Sequence, residues 1–339
     1  GQGKLFYNDG NISFEGEFLY GYENIQNIIK IPWEGEGTEY NDCGNIIFKG
    51  IYKNGKRNGY GKEYYNSYLI YEGYYLNDEK NGYFKEYNIS GELRSEGKFE
   101  KGLKVGLWKK YYAKGEYLEE GEYENDKKIG IWKRYYKNGQ LEYEGEYKNG
   151  MKNGIFKEYH KKGELKFQGE YLNNKKNGKG KEYNETGKLL FEGEYKEDQL
   201  WNGKQYNYYD SEQLRSVLTI RNGNLLLILK YNNDGELIFE TTYKEETKKL
   251  FIKQFFNGIL IFEGEYLDKI RDGKGKEYDY YSGKLLFEGE YEGDKRNGKG
   301  KEFDLNTEKL IFEGEFKDGK KWAGKGYNEN NEVEYEIKD

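Results

Sequence analysis

Short segments of the chain alternate between aromatic and polar residues with a period of two, and each segment has a glycine at the same place. Residues 167–171 read Phe-Gln-Gly-Glu-Tyr, so the two rings and the glycine occupy one set of alternate positions and polar side chains occupy the other. Successive side chains of a β-strand point to opposite faces. The alternation therefore predicts a strand with one aromatic face and one polar face.

The same segment recurs along most of the chain. Its glycine is found at Gly16, Gly50, Gly73, Gly97, Gly121, Gly145, Gly169, Gly193, Gly264, Gly289 and Gly314. From Gly73 to Gly193 the interval is always 24 residues, and elsewhere it is 23 to 25. The exceptions are a step of 34 after Gly16 and a stretch from about 198 to 261 where the pattern blurs. A fixed interval of this length indicates a tandem-repeat protein.

Each repeat predicts two strands joined by two kinds of turn. In the repeat from 167 to 190, the polar cluster 173–176 predicts a four-residue turn and residues 178–183 predict the return strand. A two-residue turn is expected between repeats, at Asn138-Gly139 and the matching pairs, because these residues accept positive φ. The expected fold class is all-β: an elongated single-layer antiparallel sheet, a solenoid-like ribbon of tandem β-hairpin repeats.

The pattern also predicts strand register. We expect Gly opposite Gly and Tyr opposite Gly in each hairpin, which places Glu288 against Lys301 and Glu290 against Lys299 as cross-strand ion pairs. Four repeats replace the second glycine of Gly-x-Gly by a large ring, at Phe84, Trp108, Trp132 and Phe156. The register places these rings over Gly73, Gly97, Gly121 and Gly145, which have room for them.

The repeats form one continuous array in three stretches. Residues 1–215 are regular repeats with an insertion at 20–32, which contains the one proline of the chain. Residues 216–261 are degenerate and more apolar. Regular repeats return in 262–339 and continue to the C-terminal end.

Composition and charge exclude several functions. The chain of 339 residues is 35% charged but also 18% aromatic, which favours an ordered β-structure over disorder. Its net charge of −6 has no basic excess, so nucleic acid is not an expected partner. No run of apolar residues approaches the 18 or so that a transmembrane helix needs. A single cysteine excludes an intrachain disulfide and fits a reducing compartment.

The candidate chemical groups lack the partners that chemistry requires. The Gly-Lys-Gly-Lys run at 298–301 leads into a strand and lacks the spacing of a phosphate-binding loop. His160, expected as an exposed turn residue, and Cys43, also in a turn, have no second ligand or base nearby. Paired carboxylates such as Glu192 and Glu194 recur in repeat after repeat opposite lysines. We therefore expect no catalytic, cofactor-binding or metal-binding residues, no cofactor and no enzyme activity.

The first candidate site is an aromatic groove for a protein partner. Its residues are Tyr75, Phe84, Phe99, Trp108, Tyr123, Trp132, Tyr147 and Phe156. An aromatic stripe on a single-layer sheet is either covered or left as an adhesive surface, and large exposed apolar patches usually mark interfaces. The alternative that stays open is that the rings only pack on one another along the sheet.

The second candidate is an interface at Leu225, Leu227 and Leu229, within a run that is apolar on both faces. A strand that is apolar on both faces is usually packed against other residues on both faces. The cover would come from a second layer or from another chain, and the edge strands of an open sheet also favour pairing between copies. We therefore expect self-association, as a dimer or a filament.

The repeated segment Phe-Glu-Gly-Glu-Tyr followed by Asn-Gly-Lys-Gly resembles the MORN repeat (membrane occupation and recognition nexus). The resemblance covers nearly the whole chain. Repeats such as Gly-Ile-Trp-Lys-Arg-Tyr-Tyr at 130–136 are similar to a bacterial variant with 24-residue spacing, some members of which are described as antitoxins. The resemblance implies an elongated antiparallel sheet with a groove, a role in scaffolding, protein binding or attachment near membranes, and no catalytic residues.

The expected function is a non-enzymatic scaffold or adaptor that binds a protein partner along the aromatic groove and self-associates. One alternative is a peripheral membrane or phospholipid-binding module, although the even charge balance counts against attraction to anionic lipid. Another is the non-catalytic part of a larger enzyme, or an antitoxin-like partner protein. We expect a cytoplasmic location with cytoskeletal association. Residues 1–10 resemble the second half of a repeat, so the chain is expected to be a fragment.

Overall fold

The computed structural model describes residues 1–18, 33–244 and 249–338. In these residues the protein is nearly all-β, with 28 strands in an open antiparallel sheet of consecutive hairpins and one 3₁₀ turn at Ala113–Gly115. The prediction of an all-β protein made from tandem antiparallel hairpins is confirmed. The predicted insertion at 20–32 lies outside the described residues.

The chain divides into two compact units, and each is described by itself. Unit 1 comprises residues 1–178 and 183–188, and unit 2 comprises residues 179–182 and 189–339. The boundary divides strand β15 (Lys175–Tyr183). It falls at neither 215 nor 261, and strands continue through the degenerate stretch 216–261.

Unit 1 contains β1 (Gln2–Phe6), β2 (Ile12–Phe18), β3 (Trp33–Tyr40), β4 (Ile46–Lys53), β5 (Lys56–Tyr65), β6 (Tyr68–Leu76), β7 (Glu79–Tyr87), β8 (Leu93–Glu100), β9 (Leu103–Tyr111), β10 (Tyr117–Glu124), β11 (Lys127–Tyr135), β12 (Leu141–Lys148), β13 (Met151–Tyr159) and β14 (Leu165–Leu172).

Unit 2 contains β16 (Leu189–Lys196), β17 (Gln199–Tyr208), β18 (Leu214–Arg221), β19 (Asn224–Tyr231), β20 (Leu237–Lys244), β21 (Lys249–Phe256), β22 (Ile259–Leu267), β23 (Ile270–Tyr278), β24 (Leu285–Glu292), β25 (Lys295–Phe303), β26 (Leu310–Lys317), β27 (Lys320–Tyr327) and β28 (Val333–Ile337).

The two kinds of turn are the reverse of those predicted. Residues 173–176 do not form a four-residue turn, because only Asn173 and Asn174 lie between strands, and both have positive φ. This is the type I′ geometry that matches the twist of paired strands. The lysines that come next already belong to β15. The connection at Asn138-Gly139 is a longer loop, 136–140, in which Gly139 has positive φ and Asn138 accepts a hydrogen bond from the Gln140 amide.

The predicted register is confirmed at its centre. Glu288 lies opposite Lys301, and Gly289 lies opposite Gly300. The prediction that the second aromatic residue faces a glycine across the hairpin is wrong, because Tyr291 lies opposite Arg296. A bulge intervenes, since three residues of β25 face a single residue of β24 there, and the extra residues let the arginine return to the aromatic face.

The bulge also changes the predicted charge pairs. The Lys299 amide, and not its ammonium group, donates to Glu290 at 3.1 Å. Lysines of this face instead pair with the neighbouring repeat, as in Lys276–Glu288 at 3.4 Å and Lys301–Glu313 at 3.2 Å. Half-exposed pairs of this kind contribute roughly 0–1 kcal/mol each, so they align strands more than they stabilise them.

The core of each unit is built by placing a ring over paired backbones that carry no side chain. In the unit 2 hairpin of β24 and β25 the ring comes from the strand of the first glycine, because Phe287 would overlap a Cβ at Gly289 of the same strand and also one at Gly300 across the pair. In four repeats of unit 1 it comes from the opposite strand, as where a Cβ at Gly97 would overlap the Trp108 indole. The prediction that Phe84, Trp108, Trp132 and Phe156 cover Gly73, Gly97, Gly121 and Gly145 is confirmed.

The two arrangements exclude each other. Where the return strand supplies the ring, the residue two positions before the glycine is not phenylalanine; it is the buried Ser95 beside Trp108 and the buried Glu119 beside Trp132. In unit 2 the matching position is Phe287, and the position of the tryptophan is taken by Gly300, which lies opposite Gly289. Phenylalanine at this position and a large ring on the return strand do not occur in the same hairpin, although the larger site beside Phe156 also accommodates Tyr143.

This exclusion predicts a strong coupling between two positions. Trp108→Gly should destabilise unit 1 by about 3–5 kcal/mol through the cavity it leaves, and Ser95→Phe by about 1–3 kcal/mol through overpacking. The double variant S95F/W108G recreates the unit 2 arrangement, so it should be more stable than the sum of the single changes predicts, by about 2 kcal/mol or more. Urea unfolding followed by circular dichroism measures the cycle.

The control for this cycle is S95F/W132G, in which the cavity lies one repeat away from the new ring. Its two effects should add, within about 0.5 kcal/mol. Additive behaviour of S95F/W108G as well would show that position 95 and position 108 do not share one ring site.

Candidate functional site

The eight residues of the predicted aromatic groove are brought together as one continuous column. Consecutive rings contact each other from Tyr75 to Phe156, with centroids between 5.0 and 6.1 Å apart and mostly edge-to-face. Each ring is at most 8% exposed. Edge-to-face contacts at these distances are favourable beyond the area they bury. The rings form the core of unit 1, and their predicted contact with a partner stays a prediction.

Cations cover the open side of the column. The Lys104 ammonium lies 4.2 Å from the Trp108 ring and the Lys128 ammonium 3.9 Å from the Trp132 ring. The Trp132 indole N–H donates to the Glu122 carbonyl at 3.1 Å, so its polar atom is also satisfied. Cation–π contacts of this type are worth about 0.5–2 kcal/mol, depending on desolvation. The aromatic face is thus closed by the protein's own side chains.

A buried carboxylate joins one of these cations to a further lysine. Glu119 accepts hydrogen bonds from the ammonium groups of Lys110 at 2.6 Å and Lys128 at 2.8 Å. Burial opposes ionisation of Glu119, but the two lysines outweigh it and hold the pKa of the carboxyl below its ordinary value. Glu119 is therefore a charged structural group and is poorly suited to act as a general acid at neutral pH.

The remaining candidate groups are structural. His160 is half-buried rather than exposed as predicted, and its Nε2 lies 3.0 Å from the Tyr183 carbonyl oxygen. Tyr136 makes the matching contact in the preceding repeat, where its hydroxyl donates to the Tyr159 carbonyl. The Cys43 thiol is exposed, and a hydrogen bond to Asp42 raises its pKa, which disfavours the reactive thiolate.

The described ranges contain neither a metal-binding cluster nor a membrane-spanning helix. No three His, Cys, Asp or Glu side chains within 1–18, 33–244 and 249–338 are grouped so that they could hold a metal ion. Within the same residues, no helix is long and apolar enough to cross a membrane.

The face opposite the rings carries an exposed row of a different kind. Leu107, Ile131 and Ile155 each precede a buried ring by one residue and are 56%, 59% and 54% exposed. On the strands between them, Glu122 lies opposite Leu107 and Glu146 lies opposite Ile131. We call these five residues the outer row. It crosses five consecutive strands, β9 to β13.

Unit 2 has lysine where the outer row has apolar residues. Lys274 lies opposite Glu290, and Lys299 lies opposite Glu315. These charged residues line a groove of about 880 Å³ whose floor is the glycine backbone, including Gly289. Equivalent positions of the same fold thus present alternating charges in unit 2 and alternating apolar and acidic groups in unit 1.

The sequence contains the signal for the outer row, although the predicted sites did not include it. The residue between the glycine and the ring is apolar in Gly-Leu-Trp at 106–108, Gly-Ile-Trp at 130–132 and Gly-Ile-Phe at 154–156. In the Gly-x-Gly repeats of unit 2 at 273–275 and 298–300 it is lysine. An apolar residue at a position where the alternating pattern requires a polar one is the signal for this surface.

The predicted leucine interface lies on β19 of unit 2. Leu225 is 46% exposed, whereas Leu227 and Leu229 are half-buried. Leu229 lies opposite Val217 on one side and Glu240 on the other, so β19 is paired along both edges. Its role as an interface stays a prediction.

Comparison with known families fits this geometry. The model of the MORN repeat matches six segments, at residues 48–69, 143–155, 167–188, 262–280, 287–303 and 312–322. The chain therefore contains MORN repeats, as predicted. MORN repeats suggest a binding or scaffold role based on the repeats, and the family is generally non-catalytic. Residues 70–142, which include the repeats with Trp108 and Trp132, lie outside the matched segments.

Solved structures with some likeness to this MORN-repeat chain belong to large toxin assemblies. The crystal structure of TcdB2-TccC3 without hypervariable C-terminal region is 12% identical, with a TM-score of 0.22 and a match over 92% of this chain and 19% of that chain. The Photorhabdus luminescens Tc holotoxin pore is 10% identical, with a TM-score of 0.20 over 89% and 18%. This chain spans about a fifth of their length, and scores this low do not define a shared fold. No curated protein matches.

The charge state of Glu119 gives this MORN-repeat protein a predictable response to acid. A carboxyl whose folded pKa is depressed stabilises the fold above its unfolded pKa, about 4.3, and loses that contribution as pH falls through the folded value. Glu119→Gln should therefore cost about 1.5–3 kcal/mol at pH 7. The difference from the wild type should shrink as the pH is lowered from about 5 towards 3. Urea unfolding followed by tryptophan fluorescence measures it.

Glu122→Gln is the matched control, because Glu122 lies three residues away on the exposed face. It should change stability by less than about 0.5 kcal/mol at either pH. A cost of Glu119→Gln that stays constant between pH 7 and pH 3 would contradict the charged role of this carboxylate.

Proposed function

We propose that the protein is a non-enzymatic MORN-repeat scaffold that binds a protein partner through the outer row of unit 1. The proposal rests on a contrast in solvent exposure between residues that are adjacent in sequence. Trp108, Trp132 and Phe156 are buried, and the residue just before each of them is a Leu or Ile that is more than half exposed. The proposal moves the predicted binding surface to the other face of the same strands.

The apolar residues of the outer row have no structural need to be apolar. Their equivalents in unit 2 are lysines in hairpins of the same kind, so the fold accepts a charged side chain at this position. Single exposed apolar residues are common, but several in one row suggest an interface. These side chains stay in contact with water when the chain folds, so they add little to its stability. Their burial against a partner would contribute a favourable free energy of binding.

The sheet holds the outer row ready for a partner. Turns of successive repeats are joined by paired hydrogen bonds: the Lys104 amide donates to the Asp126 carboxylate, and the Asp126 amide donates to the Lys104 carbonyl. Lys152 and Asn174 repeat the arrangement. Because the strands are fixed at both ends and by their neighbours, little conformational entropy would be lost on binding.

The proposal predicts which surface changes abolish capture of a partner. The triple variant L107K/I131K/I155K places the lysine of unit 2 at each apolar position of the outer row. It should fold normally and lose, by tenfold or more, the proteins that the wild type retains from a lysate of its source cells. Quantitative mass spectrometry of the retained proteins is the measurement.

The matched control is L76K/L103K/L172K, which changes three exposed leucines beside the hairpin turns of the same unit. It should retain the partners at wild-type levels. Equal retention by both triple variants, with unchanged circular dichroism, would rule out the outer row as the binding surface.

A further inference from the structure

We infer that the outer row docks an amphipathic α-helix of another protein, one that presents apolar and basic side chains on alternate turns. The inference rests on the proposed function, because it names the partner of the same surface. It is drawn from the charges of the row, from its spacing and from the secondary structure of the chain itself.

The outer row carries acidic groups that are not balanced. In unit 2, Glu290 has Lys274 and Glu315 has Lys299 across the strand pair. In unit 1, Glu122 has Leu107 and Glu146 has Ile131 at the matching place. Within the part of the chain that the structure describes, neither Glu122 nor Glu146 has an ion-pair partner. Their charge is available to a basic group from outside.

Glutamates two residues earlier on the same strands differ in this respect. Glu120 lies opposite Lys109 and accepts a hydrogen bond from the Tyr135 hydroxyl at 3.3 Å. Glu144 is 3.7 Å from the Lys157 ammonium. The adjoining row is therefore neutralised within the protein, and the negative charge of this face is concentrated between the apolar side chains of the outer row. A basic partner is favoured, and an anionic lipid surface would be repelled.

The spacing of the row matches a helix better than an extended strand. Neighbouring strands lie about 4.8 Å apart, so the five residues span about 19 Å, with apolar side chains about 9.6 Å apart. A helix lying along the row advances about 5.4 Å per turn and about 10.5 Å per seven residues. An extended peptide places same-side residues about 6.8 Å apart, so its second such residue already fails to meet the next apolar side chain of the row. Fourteen residues of a helix advance about 21 Å, which differs from the length of the row by only about 2 Å.

These requirements define the partner's pattern. Apolar residues are needed at positions i, i+7 and i+14, to meet Leu107, Ile131 and Ile155. Lysine or arginine is needed near i+4 and i+11, to meet Glu122 and Glu146. Long basic side chains can absorb the remaining mismatch in position. Such a helix is amphipathic and would fold on docking or arrive already folded.

The described residues of a second copy do not supply this helix. Within the described residues, the one helical segment is the three-residue 3₁₀ turn at Ala113–Gly115, which is far too short. We therefore assign the helix to a different protein.

The test uses a designed peptide of about 20 residues, alanine- and glutamine-based, with Leu at i, i+7 and i+14 and Lys at i+4 and i+11. A charge-reversed peptide replaces both Lys by Glu, and an extended peptide keeps the Leu and Lys residues but carries two central prolines. Binding to the whole chain is measured by fluorescence anisotropy at low and moderate salt. We expect the Lys helix to bind at least tenfold more tightly than either other peptide.

Protein variants locate the site. Ile131→Lys should weaken binding of the Lys helix at least tenfold. E122Q/E146Q should weaken its binding severalfold and remove most of the salt dependence of that binding. Leu103→Lys should leave binding unchanged. Equal binding of the Lys and Glu helices, or binding unchanged by Ile131→Lys, would overturn the inference. So would a failure of the Lys helix to bind.

The outcomes separate the two proposals. Tighter binding of the extended peptide, still lost in Ile131→Lys, would reject the helix and keep the outer row as the docking surface. Failure of all three peptides while L107K/I131K/I155K still loses its cellular partners would do the same. Failure of the peptides together with unchanged capture by that triple variant would reject the row itself.

Discussion

The contact on which the rest of the structure depends is an aromatic ring lying over glycines of paired strands. Only glycine leaves the backbone bare enough for Trp108 or Phe287 to lie flat against the sheet and become almost fully buried. The rings then contact one another edge-to-face from repeat to repeat, and lysine or arginine side chains cover them. In a protein with so many charged residues, the rings of each unit supply most of its buried apolar side chains.

Because one face carries the core, the other face is free to differ between repeats. The same position is Ile131 in unit 1 and Lys299 in unit 2, while the pairing of the strands and the ring beneath are preserved. Hairpins of one design can therefore present an apolar and acidic row in one place and a balanced ionic surface in another. This separation of stability from surface chemistry suits a binding scaffold, since a partner can be changed without disturbing the fold.

Period and side-chain volume are the features of the fold that could be predicted from the sequence. Intervals of 24 residues and the alternation around each glycine indicate tandem hairpins, and the exchange of glycine for Trp108 or Trp132 indicates which ring covers which glycine. The turns and the bulge at Tyr291 depend on backbone φ, which composition constrains only weakly. The alternation defined two faces but not which of them is closed. That depends on ring-to-ring contacts and on lysines such as Lys128, which sequence spacing does not show.

The aromatic column is closed, whereas the outer row is open to solvent. Hydroxyl-radical footprinting with mass spectrometry tests this contrast at adjacent residues of one strand, on the native protein and after unfolding in urea. Free tryptophan is far more reactive than leucine or isoleucine, so protection by the fold would reverse the intrinsic order. We predict that Leu107 and Ile131 are modified at similar rates in both states, while Trp108 and Trp132 are strongly protected in the native protein. Rapid native modification of both tryptophans would contradict a closed column.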